Sequence, residues 1–213
     1  MSYFYKDFNY ITPTEPHGIW FLHLKDMIHE QVLQSIEKSL EDKELEDALV
    51  ESWAVRPDLP SVEASKGSIR TTKIYALTDE ADKELLMPVY DNISRTVRNI
   101  NTDVWNYSID SWEPLQYCEY LAEDSGHFDW HIDPPARSPQ HIQRKLSFSI
   151  GLSDHDDYEG GDLQFRYGME DSYVKLGRGE IVIFPSFILH RVTPVTKGKR
   201  RVIVGWALGP NFV

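Results

Sequence analysis

The sequence predicts an α+β chain that is mainly β: a double-stranded β-helix, or jelly roll, flanked by N-terminal helices. Two stretches before residue 104 space their apolar residues like helices, and about nine short strand-like segments follow. Clusters of Gly, Pro and Asp separate these segments, as in barrels and sandwiches. The length of 213 residues suits one domain, 1–213. We expect residues 1–103 to form a helical and loop support region and residues 104–213 to form the jelly-roll catalytic core.

The first region contains two predicted helices and one long loop. Residues 26–42 carry apolar side chains at helical spacing, and Asp26 is the predicted N-cap. Residues 79–100 form the second helical stretch, which Pro88 is expected to kink or divide. The segment 54–70 between them is rich in turn formers and predicts a long loop. Loops of that length often close over substrate, so this segment is one candidate lid.

The second region predicts short strands packed as an eight-stranded jelly roll. The predicted strands are 104–110, 115–123, 126–132, 145–153, 162–168, 172–176, 180–185, 188–195 and 201–209. The segment 134–141, "PPARSPQH", directly follows a His-x-Asp pattern and is the second candidate lid.

Composition excludes some classes of partner. A formal net charge of −12 disfavours binding to a nucleic-acid backbone, which requires clustered Lys and Arg. No segment approaches the ~20 consecutive apolar residues of a membrane helix. The single cysteine, Cys118, cannot form an internal disulfide, which indicates a reducing, cytoplasmic compartment. Its aromatic, strand-like surroundings favour a buried, inert thiol over a nucleophile. The sequence does not indicate an oligomeric state.

The pattern His-x-Asp occurs three times. Residues two apart on a strand share a face, so such a pair can offer one nitrogen and one oxygen to one metal ion. Non-haem iron is typically held by two His and one carboxylate, which leaves coordination positions free. The candidate pairs are His127 with Asp129, His131 with Asp133, and His155 with Asp157; the candidates for a distant second His are His141, His155 and His190. These residue types alone leave the choice open.

Longer motifs carry a family resemblance. Residues 116–208 resemble the iron- and 2-oxoglutarate-dependent dioxygenases of the prolyl 4-hydroxylase type, especially their bacterial and phage-type hydroxylases. The signatures "LSDxxDYxGG" and "LHRVTPVTxGxR" read here "LSDHDDYEGGDL" and "LHRVTPVTKGKR". The ordered set covers nearly half the chain, and no motif places the first ~100 residues.

The resemblance implies a metal site. In this family an aromatic residue stands three positions before the metal-binding His, as Phe128 does before His131. The implied ligands are His131, Asp133 and His190. Strand alternation would place His127 and Asp129 on the same face, as pocket groups or as a hydrogen-bonded polar pair. His155 and Asp157 are expected in a surface turn.

The resemblance also implies the cofactors Fe(II), 2-oxoglutarate (2OG) and O₂, with ascorbate as a candidate reductant. The family's cation for the 5-carboxylate of 2OG stands about ten residues after the distal His, which is Arg200; its neighbour Arg201 is the rival. Tyr120 matches the family's Tyr that binds 2OG. Two extra residues separate it from the His, so Tyr117 remains a second choice.

The implied reaction is hydroxylation of an unactivated C–H bond, with decarboxylation of 2OG to succinate and CO₂. The family suggests a peptidyl substrate, with proline as the first guess; a free amino acid or another small molecule is the alternative. Two hypotheses from other classes are a metal-dependent hydrolase that uses a bound water and a non-catalytic jelly-roll binding module.

Overall fold

The computed structural model describes residues 20–48, 69–78, 80–133, 142–167 and 170–211. The helices in this part are α1 (Glu30–Ser39) and α2 (Lys83–Val104). The strands are β1 (Leu22–Leu24), β2 (Glu46–Asp47), β3 (Arg70–Thr71), β4 (Lys73–Ala76), β5 (Ser111–Trp112), β6 (Gln116–Leu121), β7 (His127–His131), β8 (Ile142–Gly151), β9 (Tyr158–Gly160), β10 (Leu163–Tyr167), β11 (Glu170–Val174), β12 (Ile181–Pro185), β13 (Leu189–Val192) and β14 (Val195–Pro210).

The strands form two antiparallel sheets, which confirms the jelly roll. The major sheet has the order β1-β12-β8-β14-β6-β4-β2, with β5 and β9 also paired to β14. The minor sheet has the order β11-β10-β13-β7-β3. The central strand β14 spans 16 residues and contacts four other strands, so it links most of the major sheet.

Two apolar cores lie on opposite faces of the major sheet. One core packs α1 and α2 against its outer face; its members include Leu33, Ile93, Ile150 and Ile203. The other core fills the space between the sheets and includes Tyr120, Phe165, Phe184 and Val202. Because both faces are covered, β12 is buried along its whole length and lacks polar alternation.

The helices confirm the predicted elements but correct two details. Helix α1 begins at Glu30, with His29 at the N-cap position, so the prediction that Asp26 caps it was wrong. Asp26 instead has φ 54°, a turn conformation that ends the segment after β1. Helix α2 continues through Pro88, which therefore does not divide it. Its continuation to Val104 is stabilised by the buried stripe that packs on the major sheet.

Eight of the nine predicted strands are present, and the predicted strand at 104–110 is wrong. Val104 ends α2, and the next strand begins only at Ser111. The side chain of Asn101 explains the difference, since its amide donates to the carbonyl of Tyr107 at 2.8 Å and accepts from the Tyr107 N–H at 3.0 Å. These side-chain bonds replace strand pairing for that backbone.

The N-terminal region contributes short strands to both sheets, which sequence patterning did not reveal. β1 pairs with β12 and β4 pairs with β6 in the major sheet, whereas β3 pairs with β7 in the minor sheet. The expected division into a support region and a catalytic core remains a prediction. The predicted lid at 134–141 and most of the one at 54–70 lie outside the described residues. Within the described residues, no helix is both long and apolar enough to span a membrane.

Candidate active site

Three predicted ligands meet at one end of the cavity between the sheets. His131 closes β7 and is paired directly with His190 on the neighbouring strand β13. Asp133 follows two residues after β7, and its N–H donates to the carbonyl of Ser186 at 3.0 Å. That bond fixes the chain as it leaves the strand, so the carboxylate points at the two imidazoles.

The three side chains have the geometry of a metal site. One potential ligand atom from each lies within 4.8 Å of the others, the sole group of this kind among the described residues. His131 Nε2 is 3.9 Å from Asp133 Oδ1, and His190 Nε2 is 3.8 Å from Asp133 Oδ2. Two nitrogens and one carboxylate on one side match the donor set of Fe(II) oxygenases.

Backbone carbonyl groups orient both imidazoles. His131 Nδ1 lies 2.7 Å from the carbonyl oxygen of Asp129, and His190 Nδ1 lies 2.8 Å from that of Ile188. A carbonyl oxygen only accepts, so each Nδ1 carries a proton, and the Nε2 atom of each ring is the one that faces the shared centre. Such hydrogen bonds are typical supports of metal-binding His.

Packing and charge keep these groups ready to bind a cation. Burial, and after it the nearby His190, lowers the pKa of His131 to about 4. Burial alone would raise the pKa of Asp133, but the charges of His190 and His131 and the Ser147 hydroxyl together lower it. Ser147 Oγ donates to Asp133 Oδ2 at 2.6 Å and also lies 2.9 Å from Ser186 Oγ.

A β-bulge corrects the interpretation of His127 and Asp129. His190 pairs with His131, but Val192 pairs with Phe128, so two residues of β7 lie opposite one of β13. Phe128 therefore faces the cavity and stacks on His131 with ring centroids 3.6 Å apart, whereas Asp129 is exposed. The prediction that Asp129 shares the face of His131 was wrong because the bulge interrupts alternation. The His127 ring is held outside by the Ser125 carbonyl at 2.8 Å.

Arg200 lies deep in the same cavity without a matching carboxylate. It is 1% exposed, and its Nε has no hydrogen-bond partner. No carboxylate of the described residues pairs with it. Its guanidinium lies 5.1 Å from the ring centre of Tyr120, its cross-strand partner on β6. A buried guanidinium without an anion is costly unless a ligand supplies one.

The two rival residues face away from this cavity. Arg201 points to the opposite face of β14, where it lies 3.6 Å from Glu37 of α1. Tyr117 donates to Glu119 at 2.9 Å and belongs to the core under the helices. The strand register thus brings Arg200 and Tyr120, rather than Arg201 and Tyr117, to the side of His131 and His190.

The "DYEGG" motif supports Arg200. Tyr158 is buried beside Arg200 and donates to the carbonyl of Leu176 at 2.8 Å. Gly161 has φ 64°, and a Cβ there would come within 2.9 Å of Arg200 Cδ. The second glycine of the motif therefore gives the arginine its space.

The remaining His-x-Asp pair lies elsewhere. His155 and Asp157 are exposed in the turn before β9, as expected of a surface turn. His155 nevertheless lies 3.1 Å from Glu180, whose other oxygen is 2.8 Å from His23. Of the candidates for the distant ligand, His141 lies outside the described residues and His155 is not in the metal group.

Several cavity residues were missed by sequence reasoning. Arg70 of β3 and Gln116 of β6 line the cavity, as do Trp206 and Ser147. Arg144 stacks over Trp206 at 4.0 Å and pairs with Glu113, its Nε 2.8 Å from the carboxylate. The sequence around Arg70 did not indicate a role in the site, because its two-residue strand is too short to show alternation. The strand reaches the site through its pairing with β7.

Comparison with known proteins agrees with this site. A model described as the 2OG-Fe(II) oxygenase superfamily matches residues 115–208, the segment that contains all three candidate ligands and Arg200. Residues 115–208 belong to the 2OG-Fe(II) oxygenase superfamily. The description of this superfamily names two groups, Fe(II) and 2OG. We call residues 115–208 the oxygenase domain. The donor set of His131, Asp133 and His190 and the unpaired, buried Arg200 fit these two groups.

Curated relatives match less than half of the chain. A PKHD-type hydroxylase of Hyphomonas neptunium is 42% identical over 98 residues, 44% of this chain and 44% of that protein. Another, from Synechococcus sp. (strain CC9902), is 43% identical over 79 residues, 37% of this chain and 35% of the relative. The chain thus aligns with less than half the length of these curated relatives.

Solved structures show the same fold over most of the chain. A Pseudomonas putida prolyl-4-hydroxylase has a TM-score of 0.64 at 16% identity, covering 88% of this chain and 91% of that one. A Trichoplax adhaerens prolyl hydroxylase in complex with a hypoxia inducible factor peptide has a TM-score of 0.66 at 18% identity, covering 88% and 82%. At these identities the likeness establishes the fold of the oxygenase domain and its flanking elements.

Proposed function

We propose that this protein is an Fe(II)- and 2OG-dependent oxygenase that hydroxylates an unactivated C–H bond. The observation that carries the proposal is the cavity itself. A His-Asp-His group of the kind that holds Fe(II) shares it with a buried arginine that no carboxylate of the described residues pairs with. His131, Asp133 and His190 would hold the metal, and Arg200 with Tyr120 would hold 2OG.

Each residue has a defined task in this proposal. When bound, Fe(II) with 2OG and O₂ supplies the oxidising chemistry, with succinate and CO₂ as products. The two Nδ1–H···O=C bonds keep the imidazole lone pairs aimed inward. Arg200 offers a guanidinium fork to the 5-carboxylate in a site largely closed to water, where a charge-assisted pair is strong. Phe128 and Phe184 pack against the two imidazoles and restrict access of water to them.

For the substrate, we propose a peptidyl residue, with proline first, and a free amino acid or small molecule as the alternative. The curated relatives are named hydroxylases, and one structural neighbour is titled as a complex with a peptide. A metal-dependent hydrolase would leave Arg200 unexplained, and a non-catalytic module would leave the metal group unexplained. We also propose a cytoplasmic setting, from the single buried thiol of Cys118.

The test is succinate formation from 2OG with Fe(II), ascorbate and O₂, first alone and then with prolyl peptides and free amino acids. We expect slow 2OG turnover without substrate, stimulation by the right substrate, and loss of both in His131→Ala. Hydrolysis of a substrate without 2OG or O₂ would establish the hydrolase instead. Metal and 2OG binding without any succinate would favour the binding module.

A further inference from the structure

A second arginine lines the cavity and has no counter-charge among the described residues. Arg70 lies on β3, and its guanidinium carbon is 4.7 Å from the ring centre of Phe128. The same ring stacks on His131, with ring centroids 3.6 Å apart. Arg70 is therefore one aromatic ring away from a proposed metal ligand, inside the same cavity.

The contacts of Arg70 are weak and neutral. Its terminal nitrogen lies 3.4 Å from the Gln116 amide oxygen and 3.6 Å from the sulfur of Cys118. Its Nε is buried and has no hydrogen-bond partner. It forms no ion pair with any carboxylate in the part of the chain that the structure describes. A guanidinium carries five donors, so most of its capacity is unused.

Arg144, whose guanidinium lies over the cavity-lining Trp206, offers a comparison with Arg70. Its guanidinium makes two hydrogen bonds to Glu113, with Nε at 2.8 Å, and it stacks on Trp206. The protein thus neutralises Arg144 internally. Within the described part of the chain, neither Arg70 nor Arg200 has a carboxylate partner, and both act electrostatically on Cys118 and Tyr120 of β6.

We infer that Arg70 binds a carboxylate of the substrate, and so restricts the substrate to molecules with an anionic group close to the reacting carbon. This inference rests on the proposed function, in which the two carboxylates of 2OG are taken by the metal and by Arg200. Arg70 then needs a third carboxylate. The substrate is the remaining ligand in the cavity that can supply one. Two sources share this chemistry: the α-carboxylate of a free amino acid, and an acidic side chain beside the target residue of a peptide.

The first test observes Arg70 directly by NMR of the side-chain Nε–H groups. The full chain is loaded with Zn(II) and saturating 2OG, and acetate or acetamide is then titrated; Arg70→Gln identifies the Arg70 signal. We expect acetate to shift this signal saturably and acetamide to leave it unchanged. An equal response to acetamide, or no response to acetate, overturns the inference.

The same signals, followed while 2OG is added to the Zn(II)-loaded protein, separate this inference from the proposed function. Addition of 2OG should shift the Arg200 signal and should leave the Arg70 signal unchanged. An Arg70 signal that 2OG saturates would assign Arg70 to the co-substrate and overturn the inference, while the oxygenase proposal would stand. An Arg200 signal that does not change when 2OG is added would contradict the proposed function itself.

The second test distinguishes the sources and uses matched pairs. Binding to the Zn(II)·2OG protein is compared for proline against prolinamide, and for a capped Asp-Pro peptide against its Asn-Pro counterpart. In the pair that represents the true source of the carboxylate, we expect the acidic compound to bind roughly 10–100-fold more tightly than its neutral counterpart. This is the range for hydrogen bonds to a charged group. Arg70→Gln should remove that preference. Arg191→Gln is the control, since Arg191 stacks on Trp130 outside the cavity and should retain it. A preference that survives in Arg70→Gln contradicts the assignment.

Discussion

At the scale of single residues, the candidate site is recognised by polar atoms that no other group of the described residues satisfies. The Nε2 atoms of His131 and His190 face a shared centre while their Nδ1 atoms are fixed by carbonyl groups. Arg200 is buried with an unpaired Nε, whereas the buried carboxylate of Glu180 is paired with His23. Buried polar groups without partners are rare in folded proteins, so their presence together identifies where ligands must bind.

The first prediction concerns the metal ligands. His131→Ala should lose divalent metal binding, because one of three donors is removed and two donors hold a divalent ion weakly. His127→Ala should bind normally, because the β-bulge directs that ring to the Ser125 carbonyl. Calorimetric titration with Mn(II) measures both. Loss of metal in His127→Ala, with retention in His131→Ala, would reverse the assignment of the pair.

The second prediction concerns acid. The folded pKa of His131, about 4, lies below the ordinary value of 6.5, because burial disfavours the imidazolium. The unfolded chain therefore binds more protons between these values, and unfolding free energy should fall as pH drops from about 6.5 to about 4. Urea unfolding of the metal-free protein measures this, and His131→Phe should flatten the decline. A His131 NMR titration midpoint near 6.5 would contradict it.

The third prediction separates neighbouring arginines. Arg200→Ala should weaken 2OG binding by roughly thirty- to several-thousand-fold, since truncating one partner of a desolvated charge pair costs roughly 2–5 kcal/mol. Mn(II) affinity should be nearly unchanged, because no metal ligand is altered. Arg200→Lys should be intermediate, because an ammonium keeps the charge without the fork. Arg201→Ala, which faces Glu37, should bind 2OG normally; a severe defect there would contradict the register.

At the scale of elements, one arginine attaches α1 to the jelly roll. Arg178, between β11 and β12, contacts Glu30 at 2.8 Å and Glu37 at 2.8 Å. It also donates to the Leu152 carbonyl at 2.9 Å. Both carboxylates lie on one side of α1, two turns apart, so a single guanidinium fixes the helix in rotation as well as position.

The fourth prediction follows from that attachment. Arg178→Ala should lower the unfolding free energy by about 1–2 kcal/mol, since several charge-assisted bonds are lost at a partly exposed site. Arg95→Ala is the matched control, because the Arg95–Asp91 pair on α2 is exposed, and it should cost under ~0.5 kcal/mol. Urea unfolding of both variants measures the difference. Equal effects would mean that the network adds nothing beyond a surface ion pair.

The sequence predicted elements where apolar spacing is regular and failed where tertiary contacts decide. The strands around Phe148 and Ile183 were identified because long apolar runs between turn residues indicate buried strands. The two-residue strand at Arg70 is too short to show a period and exists through pairing with β7. Likewise, the motif order identified His131, but simple alternation misplaced Asp129, because a bulge is defined by the partner strand.

At the scale of the whole molecule, the metal group bridges the two sheets. His131 and His190 belong to the minor sheet, whereas Asp133 accepts a hydrogen bond from Ser147 of β8 in the major sheet. A chain with net charge −12 thus encloses a cavity bordered by Arg70 and Arg200. Anionic ligands are repelled by the surface as a whole and stabilised only inside, which favours selectivity over rapid capture.

The fifth prediction uses this bridge. Because a metal at the three ligands exists only in the folded state, Mn(II) at 100 times its Kd should stabilise the protein by about 2.7 kcal/mol. The melting temperature should therefore rise with Mn(II) and fall again with a chelator. His131→Ala should show no rise. A rise of equal size in that variant would place the stabilising ion elsewhere.

The bulge in β7 has a genetic consequence. It gives the outer surface two consecutive positions, Asp129 and Trp130, between two inward ones, Phe128 and His131. An in-frame loss of either codon would leave one residue between Phe128 and His131, and regular alternation would keep both side chains facing inward. In such an allele β7 would pair with β13 residue for residue, without a bulge. We therefore expect the loss of one of these two codons, which removes the bulge, to be tolerated better than the gain of a codon, which enlarges it.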